Sequence, residues 1–100
     1  MKINFGELAK GKVETVKDNV TVVEDNLKGT KVSLVSTTMN ASITFEKAGI
    51  VFPLQAMGTL TTSEGTETIL PGEMLYVEGG DVFTPQLGFA TLVLLNNKVT

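Results

Sequence analysis

The chain has no histidine, cysteine, tryptophan or arginine, and its eight basic residues are all lysine. Each absence closes a class of chemistry. Without imidazole or thiol there is no Ser–His or Cys–His nucleophile, no disulfide, and no zinc site of the usual nitrogen and sulfur type. Lack of cysteine fits a reducing compartment, so a cytoplasmic location is expected. Without arginine, the planar fork suited to bidentate phosphate or carboxylate recognition is missing. A nucleic-acid partner would call for a basic, arginine-bearing surface interleaved with aromatics, and none is expected. No unbroken apolar run exceeds four residues, too short for a membrane span. The opening MKINFGELAK lacks the apolar stretch of a secretory signal.

What is present points to a β protein. One hundred residues, 42% of them hydrophobic, are enough for one core, so residues 1–100 are expected to form a single domain. Fourteen Thr, twelve Val and four Ile supply β-branched side chains, which are stiff at χ1 and suit a pleated, half-buried surface. Strands are expected at Lys12–Val16, Val20–Glu24, Lys31–Ser36, Ala41–Glu46, Gly58–Thr62, Thr66–Leu70, Met74–Val77, Val82–Thr84 and Ala90–Asn96. Turn signals such as Asp18-Asn19, Asn26–Gly29, Pro71-Gly72 and Gly79-Gly80 separate them, at the spacing of an all-β sandwich or barrel. Ser63-Glu64-Gly65 reads as a hairpin turn, and one helical turn is expected near Gly6–Lys10. Ala48–Met57 carries Pro53, which cannot donate into a central ladder, so this stretch reads as an edge or a crossing loop. Phe45, Phe52, Phe83 and Phe89 are read as core. Net charge is −3, divided between a first half near +1 and a second half near −4, read as a solvated surface.

Residues 58–88 resemble the second half of a cupin, the small jelly-roll barrel. Gly72 and Gly80 stand at the spacing of the two glycines in the second cupin motif, and Phe83 stands where that motif has its histidine. Counting back from Gly58, the glutamate of the first motif falls on Val51 and its two histidines on Phe45 and Lys47, or on Thr44 and Glu46 if the gap is one residue longer. The resemblance implies an all-β, cupin-like double-stranded β-helix, here without a metal. Two phenylalanines, a valine and a lysine offer no ligand set for a transition metal, and no cofactor is expected. It also implies a barrel cavity lined by Phe45, Lys47, Val51 and Phe83, with Lys47 its only charge and, if it faces inward, a candidate base or anion anchor. A homodimer is expected as well, through an edge strand within residues 12–36, where exposed backbone invites pairing.

With imidazole and thiol absent, acid–base work would fall to carboxylates, lysine and Tyr76. Glu78 and Asp81, which bracket the Gly79-Gly80 turn, are the one pair that could share a site, although acidic residues are common in exposed turns. Glu24-Asp25-Asn26 has the composition of a calcium loop but not its spacing. The expected role is therefore a metal-free module that binds a small molecule or a partner chain without catalysis. The alternative is an enzyme: KGKVETV, and TFEKAGIVFPLQAMGTL with thirteen positions from Phe45 to Gly58, are similar to the small metal-independent cupins that act as nucleoside phosphorylases.

Overall fold

The β-branched residues become ten strands in the computed structural model, which covers residues 1–100. They are β1 (Val13–Lys17), β2 (Val20–Leu27), β3 (Thr30–Thr38), β4 (Ile43–Thr44), β5 (Gly49–Gln55), β6 (Gly58–Thr62), β7 (Gly65–Ile69), β8 (Leu75–Val77), β9 (Val82–Pro85) and β10 (Phe89–Leu95). One four-residue helix, α1 (Phe5–Leu8), is capped by the Asn4 side chain, which accepts from the Glu7 N–H. All pairings are antiparallel. A six-stranded sheet runs β1-β2-β3-β10-β5-β8 and a four-stranded sheet runs β4-β9-β6-β7.

Alternation along the strands decides what lies between the sheets. Val20 and Val22 of β2, Val35 of β3, Leu92 and Leu94 of β10 and Val51 of β5 turn inward to meet Ile43, Leu60, Ile69 and Phe83 of the smaller sheet. The outer face of the larger sheet carries a second cluster, where Leu8 of α1 packs with Val23, Val32, Leu34 and Val93. No helix is long and apolar enough to cross a membrane.

The structure differs from the sequence expectations at three places. Ala48–Met57 is not an edge or a loop, since β5 lies between β10 and β8. Pro53 is tolerated because β8 pairs only with Gly49–Val51, and a register shift interrupts the β5–β10 ladder next to Pro53. Ala41–Glu46 forms only the two-residue β4 and a bridge from Phe45 to Val99. Of the four phenylalanines read as core, Phe45 and Phe83 are buried, whereas Phe52 and Phe89 project outward. Val51 faces in, so its neighbour Phe52 must face out.

Candidate functional site

The two glycines of the second motif have a conformational task. Leu70-Pro71-Gly72-Glu73 and Glu78-Gly79-Gly80-Asp81 each close with a hydrogen bond from the fourth N–H to the first carbonyl. Gly72 and Gly80 occupy the third position at φ +86° and +95°, as a type II turn requires. The second turn also holds the segment that bears Phe45. The Gly80 N–H donates to the Phe45 carbonyl at 2.8 Å, and the Phe45 N–H donates to the Asp81 carbonyl at 3.0 Å. The Asp81 carboxylate is buried and accepts from the Glu78 N–H at 2.8 Å, while Glu78 itself is exposed. This corner is a fastening, and Asp81 is occupied as a cap.

Phe45, Val51 and Phe83 all lie in the core cluster with no exposed surface, and none of them lines any of the five principal pockets. Lys47 departs from the expected cavity altogether: its side chain is exposed. Regular strand ends at Thr44, so the alternation that would have turned residue 47 inward is lost. Its backbone is instead held by Asn97, whose side chain accepts from the Lys47 N–H at 3.0 Å and donates to the Lys47 carbonyl at 2.8 Å. The donor set at these four positions does not fit the metal that cupins of the metal-dependent kind hold. Three are apolar and packed, the fourth faces solvent, and no three carboxylates elsewhere are placed to hold a metal ion.

An open groove of about 230 Å³ lies elsewhere on the inner face, lined by residues of β1, β2, β3 and β10 and by Asn97, Lys98 and Val99. Its floor is Val16, Val22, Val35, Leu94 and Val99. Glu14 and Glu24 stand at its rim, and Ser33 lies between Glu24 and Leu94 as the direct cross-strand partner of both. The Ser33 hydroxyl is buried and has no hydrogen-bond partner. Among buried side-chain atoms only the Thr37 hydroxyl, on the same face of β3, shares that condition. An orphaned buried hydroxyl is costly, on the order of 1–3 kcal/mol, unless something supplies the missing bond.

The sequence signals for this groove were faint. Along β2 one face reads Val20, Val22, Glu24, so a core-facing row ends in a charge, and β3 shows the same change between Val35 and Ser33. Glu24-Asp25-Asn26 has the composition of a calcium loop without its spacing. In the structure Glu24 pairs with Lys31 at 3.9 Å and Asn26 caps the β2–β3 turn. The second-half carboxylates Glu64, Glu67, Glu73, Glu78 and Asp81 come together around the exposed Tyr76, where they line three surface pockets.

No family model matches the chain, and no curated protein matches its sequence. Solved structures do resemble it. A sugar phosphate isomerase from a cupin superfamily, from Silicibacter pomeroyi, superposes with a TM-score of 0.69 at 14% identity, over 95% of this chain and 74% of that one. Ectoine synthase from P. lautus gives 0.71 at 13% identity, over 96% and 77%. The polyketide cyclase RemF from Streptomyces resistomycificus gives 0.71 at 16% identity, over 99% and 82%. At such identities the likeness establishes the fold: a small all-β, cupin-like barrel.

Proposed function

We propose that this chain is a non-catalytic, metal-free binding module that takes a small molecule in the groove beside β1 and assembles as a homodimer in the cytoplasm. The observation that carries the ligand reading is the buried, unpartnered Ser33 hydroxyl on the floor of an open groove. A bound polar group there would supply the missing hydrogen bond and would rest on a valine-rich surface. The dimer reading rests on β1, the edge of the larger sheet, all five of whose residues are exposed, Val13 and Val16 among them. Edge-to-edge pairing uses backbone groups and leaves the inner face of β1 free for a ligand.

A thermal-shift screen with nucleosides, phosphate, sugars and amphipathic zwitterions tests the ligand reading, since a ligand at a hundred times its Kd adds about 2.7 kcal/mol. A panel without any shift would count against it. Light scattering at tens of micromolar should give twice the chain mass, and a monomer would refute the dimer. Elemental analysis should find no stoichiometric transition metal.

A catalytic reading stands second, favoured by fold neighbours named as an isomerase, a synthase and a cyclase. In its phosphorylase form it needs an anion, for which the groove offers Lys98 against the two carboxylates Glu14 and Glu24. Phosphate-dependent cleavage of a nucleoside by the purified chain would establish it against the binding reading.

A further inference from the structure

Resting on the groove reading, we infer that the ligand is a small aliphatic zwitterion, with an ammonium and a carboxylate separated by a short hydrocarbon chain. The groove holds four kinds of surface, and each asks for one part of such a molecule. Glu24 is already engaged by Lys31, which leaves Glu14 as the groove carboxylate without an ion-pair partner. Lys98 is likewise the groove cation without one. Glu14 is on β1 of the larger sheet, whereas Lys98 is on the C-terminal segment, its carbonyl accepting from the Glu46 N–H, so the two charges enter the groove from different walls. The two are not within ion-pair distance of each other, so each is left to a separate part of a ligand. They suit a molecule whose charges lie at its two ends.

Between them the floor is apolar, formed by Val16, Val22, Val35, Leu94 and Val99, and matches a methylene chain. The Ser33 hydroxyl is placed beside Glu24, which is the diagonal cross-strand neighbour of Glu14 through Val22. It can accept from an ammonium lodged at this carboxylate end. The groove, about 230 Å³ and open to solvent, has room for a molecule of this kind.

The test is an amide chemical-shift titration of the full chain with 6-aminohexanoate, hexylammonium, hexanoate and 1-hexanol. The expected result is shifts at groove residues, with 6-aminohexanoate binding about two- to fivefold more tightly than either singly charged analogue, the range of exposed charge pairs. Glu14→Gln should remove the advantage of the ammonium and leave hexanoate unchanged. Lys98→Met should do the reverse. Both side chains are exposed, so neither change should compromise folding. Equal binding of 1-hexanol, or loss of binding to all charged analogues in either variant, would overturn the zwitterion and leave the groove as a binding site. Absence of groove shifts with any of the four would overturn the zwitterion and the groove reading together.

Discussion

Around Phe45, Val51 and Phe83 the space between the sheets is sealed, whereas around Glu14, Glu24 and Ser33 it is open. Strand count explains the difference. Six strands face four, so β1 and the adjoining part of β2 extend where the smaller sheet offers no partner. Inward-facing residues that meet the opposite sheet must be apolar, because a polar group there would be desolvated without compensation. Those beyond its edge face solvent, and the same inward direction can carry a glutamate. In this chain the positions matched to the motif ligands are Phe45, Val51 and Phe83 in the core and Lys47 in solvent, and the candidate site lies at the overhang.

The sharpest way to break this comparison is to empty the sealed end. Phe83→Ala should lower unfolding stability by about 3–5 kcal/mol, the cost of a large aromatic lost from a packed interior, as read by denaturant titration. Phe83→His should cost about 1–3 kcal/mol and create no metal binding, because Phe45 and Val51 still offer no ligand. Elemental analysis of that variant after zinc or nickel exposure checks the second half. A stoichiometric ion would mean that the interior is less sealed than described.

Asn97→Ala tests the fastening beside the two regions. Its side chain satisfies both the N–H and the carbonyl of Lys47, and the loss should amount to about 2 kcal/mol. At the open end the sign should reverse. Ser33→Ala removes a hydroxyl that the unliganded protein leaves unpaired, so it should raise stability by about 1 kcal/mol while weakening any groove ligand. A serine with only a structural role would not give opposite signs in thermal melting and ligand titration. The smallest effect belongs to Lys47→Met, within about 0.5 kcal/mol, since that side chain is in solvent and its backbone contacts remain. A large loss would return Lys47 to the interior.

Much of the fold was legible because its signals are local. β-branched runs and turn residues located nine of the ten strands, and the positions of Gly72 and Gly80 followed from turns that need a positive φ. β5 was missed because Pro53 argues against a central strand, and only the partial pairing with β8 lets it lie inside the sheet. The resemblance implies a cavity lined by Phe45, Val51 and Phe83; the structure turns all three inward but packs them into the core, where they line no pocket. The resemblance did not give the direction of Lys47, because where a strand stops depends on the partners that hold it, here Lys98 and Thr100 on one edge and the Gly80 turn on the other.

The amino-acid sequence by itself determined the all-β class, the corners, and the exclusion of imidazole and thiolate chemistry, because residue type acts on backbone and ligand chemistry without reference to distant neighbours. Only the tertiary structure decided which inward-facing residues are sealed and which line a groove. That choice depends on how many strands stand opposite one another, and so on pairings between residues as far apart as Ser33 and Leu94.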